Sequence, residues 1–283
     1  MRNSANPSMP DTNIHSGMKS VKESAGHAQE AAAVLEARDL CAGYGKKKIL
    51  DHISFRLAAG EIMAVIGPNG AGKSTLLRTA AGFLSPISGS LYLQGSDISS
   101  MKPDQIARVL SVVTTERPDP EWMTVYEMTA TGRYPYTGRM GILSPRDRQI
   151  VEEAMELLSV SALADTYFSS LSDGQKQRVM LARSIAQQPD LILMDEPTSF
   201  LDIRYRLEFA EMARMLAREK DIALLISIHE IDLAEQVADR ILCLKNGRIQ
   251  AAGRPEAVLT DSCLEELFDI SPGTYHNRYI RKT

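Results

Sequence analysis

The sequence predicts an α/β fold with a largely parallel central sheet. Three observations predict it. The runs Ile62-Met63-Ala64-Val65-Ile66, Leu191-Ile192-Leu193-Met194 and Ala223-Leu224-Leu225-Ile226-Ser227-Ile228 are apolar almost throughout, as strands buried on both faces are. Segments of helical period separate them, the alternation that builds parallel sheets. The runs end at Gly67, Asp195 and His229, and ligands of such sheets bind at the strands' C-terminal ends.

The elements follow in order. Residues 1–33 are rich in Ser, Asn, Gly, Lys and Glu without a sustained apolar period, which predicts a disordered or loosely helical tail. A domain is expected over 34–256, then a C-terminal helix and tail over 257–283. Val34-Leu35-Glu36-Ala37-Arg38-Asp39-Leu40 reads as an edge strand. Cys41-Ala42-Gly43-Tyr44-Gly45 reads as a turn, and Ile53-Ser54-Phe55-Arg56-Leu57 as the next strand. Lys46-Lys47-Lys48 reads as a solvated face. A helix is expected over 76–82, a turn over 85–89, a strand at Ser90-Leu91-Tyr92-Leu93-Gln94, a helix over 102–108 and a β-branched strand over 109–113. From about 116 to 188 the period is mostly helical, an inserted lobe broken by the aromatic loop Gly132-Arg133-Tyr134-Pro135-Tyr136-Thr137-Gly138. Helices are expected over 203–219 and 231–238, and a hairpin turns on Asn246-Gly247.

Composition narrows the function. Of the 283 residues 44% are apolar, ample for a core, and 32 basic against 36 acidic residues leave a net charge of −4. Nucleic-acid binding usually leaves a basic footprint, so none is expected. No stretch approaches the roughly 18 uninterrupted apolar residues of a membrane span, and no apolar leader opens the chain. A soluble cytoplasmic protein is expected, with any membrane role acting through a partner. Cys41, Cys243 and Cys263 are widely spaced without a metal-ligand pattern and read as structural thiols.

The chemistry centres on Gly67-Pro68-Asn69-Gly70-Ala71-Gly72-Lys73-Ser74-Thr75, between a strand and a helix. In that setting G-x-x-x-x-G-K-[ST] is a phosphate-binding loop. Glycines let successive N–H groups turn inward around an anion, and the helix aims its N-terminus at the same charge. Lys73 would reach the β- and γ-phosphates and Ser74 would give its hydroxyl to Mg²⁺. Asp195, ending a buried strand, is placed to hold Mg²⁺, and Glu196 to orient and polarise an attacking water. His229 is open to two readings, a structural residue or a hydrogen bond to the γ-phosphate. Ser172, before the helical run Val179, Leu181, Ala182 and Ile185, is equally open to helix capping and phosphate contact.

Together these residues resemble an ABC-type ATPase subunit over about 34–256. Gly67 through Thr75 matches Walker A. Leu171-Ser172-Asp173-Gly174-Gln175 resembles the signature Leu-Ser-Gly-Gly-Gln, with Asp173 in place of a glycine. Leu191 through Glu196 matches Walker B with the catalytic glutamate, Phe200-Leu201-Asp202 the D-loop, His229 the switch histidine and Tyr44 the aromatic that stacks on adenine. The resemblance implies a P-loop NTPase (RecA-like) core with an antiparallel β subdomain and the helical lobe as an inserted subdomain. It implies ATP and Mg²⁺ as ligands. It implies a homodimer in which Ser172, Asp173, Gly174 and Gln175 of one subunit meet the nucleotide on the other. Where the family usually has a glutamine after the strand at 109–113, this chain has Thr114-Thr115-Glu116, and either Thr115 or Glu116 could take that place.

Four branches of the family compete: importer, exporter, translation-associated and DNA-repair ATPases. A repair ATPase would carry a long coiled coil between Gly67 and Leu171, a translation-associated one normally two cassettes, and an exporter often a fused membrane domain. Ala130-Thr131-Gly132-Arg133-Tyr134-Pro135-Tyr136, Leu143-Ser144-Pro145 and Asp195-Glu196-Pro197-Thr198-Ser199-Phe200-Leu201-Asp202 resemble importers of iron chelates, haem and cobalamin. That resemblance implies a separate integral-membrane permease docked on the helical lobe, an extracytoplasmic substrate-binding protein beyond it, and a peripheral place on the cytoplasmic face of the membrane.

Overall fold

The computed structural model of the chain describes residues 33–115, 120–198 and 203–273. The expected tail at the N-terminus, Glu116 and the D-loop residues Phe200, Leu201 and Asp202 lie outside the described residues. Among the described residues the strands form two sheets. The larger runs β10-β9-β3-β8-β7-β6, from β3 (Ile62–Ile66), β6 (Leu110–Val113), β7 (Leu191–Asp195), β8 (Ala223–Ser227), β9 (Arg240–Lys245) and β10 (Arg248–Gly253). All its pairings are parallel except that of the β9–β10 hairpin. That hairpin turns on Asn246 and Gly247, both at positive φ, as an Asn-Gly turn requires.

The register fixes the site. Val65 of β3, Ser227 of β8 and Asp195 of β7 share one row across the sheet. Gly67, His229 and Glu196 therefore follow within two residues of that row, on the same edge.

Both faces of the large sheet are covered, which explains its unbroken apolar runs. Ile62, Ala64 and Ile66 of β3 join the core shared with the helices, and Met63 and Val65 join the core shared with the second sheet. The second sheet is antiparallel, in the order β2-β1-β4-β5, from β1 (Ala33–Tyr44), β2 (Lys47–Ala58), β4 (Ser88–Leu93) and β5 (Ser96–Asp97). Here the expectation of an edge strand at 34–40 is corrected: β1 is interior, paired with both β2 and β4, and runs on to Tyr44. Register shifts in β1 break the period-of-two pattern, so Leu40, Cys41, Ala42 and Gly43 are buried in succession and do not read as a strand.

The helices are α1 (Lys73–Ala80), α2 (Pro103–Val109), α3 (Val125–Ala130), α4 (Pro145–Leu157), α5 (Asp173–Ala186), α6 (Ile203–Lys220), α7 (Ile231–Val237), α8 (Pro255–Val258) and α9 (Asp261–Leu267). The helical lobe is held by α3, α4 and α5, whose starts share one device. Thr124 with Glu127, Ser144 with Asp147 and Ser172 with Gln175 each form a reciprocal cap across three residues. Val125, Met128, Val151, Met155, Phe168 and Val179 pack between them. Val258, Leu264 and Leu267 bring α8 and α9 into the same core.

Candidate functional site

The phosphate-loop sequence folds as its glycines demand. Gly67 stands at φ 154, Gly70 at 78 and Gly72 at 110. A Cβ at Gly67 would sit 2.0 Å from the Leu244 carbonyl oxygen, and one at Gly72 would sit 2.8 Å from a Leu50 methyl. These two glycines are thus required by close packing as well as by backbone angle. Pro68, Asn69 and Gly70 form the loop's outer rim, while Ala71, Lys73 and Thr75 are buried. Helix α1 begins with no side-chain cap and no acidic residue in its first turn. Its leading N–H groups are left for an anion.

The Lys73 ammonium folds back over the loop and donates to the carbonyls of Gly67 at 2.8 Å and Pro68 at 3.3 Å. Burial pushes its pKa below the usual lysine value, and the charges of Glu196 and Asp195 pull it the other way. Ser74 donates to Asp195 Oδ1 at 3.3 Å, so a hydroxyl and a carboxylate from different elements meet in front of the loop. Thr115 donates to the Asp195 carbonyl at 2.7 Å, which places it at the end of the same strand.

Glu196 leaves the sheet in a left-handed conformation, φ 49, uncommon for a residue with a side chain. The turn is secured by β8, because the Glu196 N–H meets the Ser227 carbonyl at 3.2 Å and the Ser227 hydroxyl oxygen at 2.9 Å. The Glu196 side chain then shares a short hydrogen bond with His229 Nε2. Ser227 also donates to Asp195 Oδ1 at 2.7 Å, so one fully buried hydroxyl orients both acidic residues. In the sequence the signal for Ser227 is a lone hydroxyl inside an otherwise apolar strand.

Tyr44 ends β1 beside the site, 46% exposed, with its hydroxyl accepting from Arg78 of α1 at 3.4 Å. The signature turn stands apart, at the start of α5. Ser172 and Gln175 bond each other there, and Ser172 and Asp173 are exposed. Gly174 is buried under Tyr205 of α6: a Cβ would lie 2.2 Å from the ring. The cap is therefore real, and Gly174 is required by packing against α6.

A family model described as ABC transporter matches residues 50–199. The chain belongs to the ABC transporter family. It is 40% identical over 242 residues to an uncharacterized ABC transporter ATP-binding protein of Methanocaldococcus jannaschii, covering 86% of this chain and 83% of that one. It is 33% identical over 241 residues to the ferric enterobactin transport ATP-binding protein of Escherichia coli K12, covering 85% and 89%. A crystal structure of the ADP conformation of an ATP-binding cassette of an ABC transporter superposes with a TM-score of 0.75 at 26% identity, over 83% of this chain and 98% of that one. The cassette is an ATPase, and its fold is that of the P-loop nucleotide-binding core. The uncapped α1, the buried Lys73 and the facing Ser74 and Asp195 fit a triphosphate with its divalent cation.

The Gly-Arg-x-Pro-Tyr element of the helical lobe divides into two parts. Gly132 packs against the Arg183 carbonyl, where a Cβ would lie 2.2 Å away. Arg133 is buried, donating to Asp147 Oδ1 at 2.9 Å, the Ala186 carbonyl at 2.8 Å and Gln188 Oε1 at 3.0 Å. Tyr136 donates to the Gln187 carbonyl at 3.0 Å and stacks on Arg133. Tyr134 turns outward, 60% exposed, toward a groove of about 520 Å³ that also borders Trp122, Tyr126, Glu127 and Leu143.

Proposed function

We propose that this cassette is the ATP-hydrolysing subunit of a membrane importer, working as a head-to-tail homodimer on a separate permease. The observation that carries the reading is the meeting of Lys73, Ser74, Asp195, Glu196 and His229 on one sheet edge in front of the uncapped α1. The loop amides from Gly67 to Thr75 and Lys73 hold the β- and γ-phosphates, and adenine stacks on Tyr44. Ser74 and Asp195 hold Mg²⁺, and Thr115, which donates to the end of β7, is placed to support the same site. Bound there, Mg²⁺ supplies positive charge to the phosphate oxygens.

Glu196 takes a proton from water as the water oxygen bonds to the γ-phosphorus. The bond from that phosphorus to the bridging oxygen breaks, and ADP leaves with the electron pair. His229 holds the Glu196 carboxylate in place and would donate to the γ-phosphate during transfer. Ser172, Asp173, Gly174 and Gln175 form the edge that one copy presents to the nucleotide of the other.

The groove beside Trp122 and Tyr134 receives a short helix of the permease. The aromatic and apolar lining supports that reading. Among the described residues no helix is long and apolar enough to cross a membrane, in keeping with a peripheral subunit on the cytoplasmic face. The ferric enterobactin relative supports a metal-chelate cargo, an iron-siderophore, haem or cobalamin, and an extracytoplasmic binding protein would deliver it to the permease.

Replacing Glu196 by Gln tests the chemistry. ATP binding is expected to persist while turnover falls about 10²-fold or more, the usual contribution of a general base. Turnover at the wild-type rate would remove Glu196 from that role.

A further inference from the structure

A second cluster of metal-ligating side chains lies on the antiparallel sheet, outside the nucleotide site. Leu40 pairs with Ile53 and Ala42 with Leu50, so the single residue Cys41 stands opposite two, Asp51 and His52. In a regular strand Asp51 and His52 would point to opposite faces. The bulge turns both toward Cys41, and His52 takes φ 57 to do so. One ligand atom from each of the three lies within 4.8 Å of the other two. Cys41 Sγ is 3.9 Å from Asp51 Oδ1, and His52 Nε2 is 3.7 Å from the same oxygen.

Tetrahedral zinc held by sulfur, nitrogen and oxygen would space its ligands about 3.3–3.5 Å apart, so these two legs need to close by only a few tenths of an ångström. The surroundings are those of a built site. The His52 N–H donates to Cys41 Sγ at 3.4 Å, which holds the sulfur against the bulge. Asp39 Oδ1 lies 2.6 Å from His52 Nδ1, orienting the ring with Nε2 toward Asp51. That is the carboxylate–histidine arrangement that backs metal-binding imidazoles. Asp39 is itself tied by its N–H to the Ser54 hydroxyl at 2.9 Å. The Lys48 ammonium sits on Asp51 Oδ1, the oxygen that Cys41 and His52 both approach, while Arg248 takes Oδ2 at 2.8 Å.

We propose that Cys41, Asp51 and His52 form a binding site for a thiophilic divalent cation of the zinc type. On binding, the Cys41 thiol gives its proton to solvent, Lys48 yields its place on Oδ1, and Arg248 stays on Oδ2. Water takes the fourth position. Thiolate, imidazole and carboxylate together select zinc over magnesium or calcium.

Titration of the full-length, tag-free chain with Co²⁺ in the absence of nucleotide tests this. One equivalent is expected to bind with a sulfur-to-cobalt charge-transfer band that Zn²⁺ abolishes. Cys41→Ser should lose the band. His52→Ala, a surface change that leaves the core intact, should weaken binding at least tenfold. Asp39→Asn should weaken it roughly tenfold as a positioning residue. Lys48→Met should tighten it severalfold, because it removes the competing cation, whereas a mere ion-pair cluster would predict no gain. Absence of the band in the folded wild type, its survival in Cys41→Ser, its loss instead in Cys263→Ser, or no tightening in Lys48→Met would each overturn the site.

Discussion

Ser227 governs the geometry of both acidic residues from inside a strand. Its hydroxyl donates to Asp195 and accepts from the Glu196 N–H, so its loss loosens one carboxylate and the turn that aims the other. Ser227→Ala should cost about 1 kcal/mol of stability, the usual net value of a hydrogen bond. Its larger effect should be on the divalent cation, a supporting contact typically contributing about 10–100-fold in metal affinity or activity. Measuring ATPase rate against Mg²⁺ concentration separates the two: a raised Mg²⁺ requirement at unchanged ATP affinity is expected. An unshifted Mg²⁺ curve would make Ser227 merely structural. Glu196 carries the matching strain, since a left-handed residue with a side chain persists only where its surroundings hold it.

At the scale of elements, the helical lobe is fastened by a charge pair. Arg133 and Asp147 are both buried, and Asp147 also caps α4 by accepting from the Ser144 N–H at 3.0 Å and the Ser144 hydroxyl at 2.6 Å. Asp147→Asn leaves Arg133 buried without its counter-charge and should destabilise the protein by about 3 kcal/mol. The Ser144 hydroxyl, with Arg133 beyond it, holds the Asp147 carboxyl below the usual aspartate pKa. A depressed folded-state pKa adds stability that is complete above the unfolded value, about 3.9, and fades as pH falls through the folded one. The gap between wild type and Asp147→Asn in denaturant midpoint should therefore hold from neutrality to pH 5 and narrow below pH 4. A gap that stayed constant through that window would contradict the assignment. The same fastening explains why Arg133 serves the lobe's interior while Tyr134 is exposed on its surface.

For the whole molecule, the proposed dimer makes a sharp demand on the signature. Ser172 is exposed and caps α5 within its own chain, so an arginine there should leave one copy able to bind ATP while blocking the approach of a second. Ser172→Arg should keep nucleotide binding and lose hydrolysis; retained turnover would mean that the signature does not act across a dimer. The transport reading predicts that the full-length chain, recovered from its native membrane, brings a permease with it, and that Trp122→Ala with Tyr134→Ala releases that permease. Recovery of ribosomal or DNA-repair proteins without a membrane protein would keep the ATPase and overturn transport.

Much of this molecule was legible before its fold. The strand-loop-helix at Gly67 to Thr75 is legible because its chemistry is local: backbone amides within one turn make the site, and the residues that allow the turn are contiguous. The buried strands were legible because a run apolar on both faces can only lie inside, and the Asn246-Gly247 hairpin because its turn requires those residue types. The interior place of β1 was not, since bulges at Asp39 and His52 erase the alternation by which a strand is recognised. Nor were the contacts of Ser227 with Asp195, Arg133 with Asp147, or Cys41 with Asp51 and His52. These join residues on different strands or helices, and sequence spacing carries no trace of a meeting set by sheet register and helix packing. The sequence alone thus determined the loop, the strands and the family, because each is written in short-range pattern. Only the tertiary structure decided how the acidic pair is aimed, how far each tyrosine of the helical lobe is exposed, and where a second cation can be held, because those depend on long-range register.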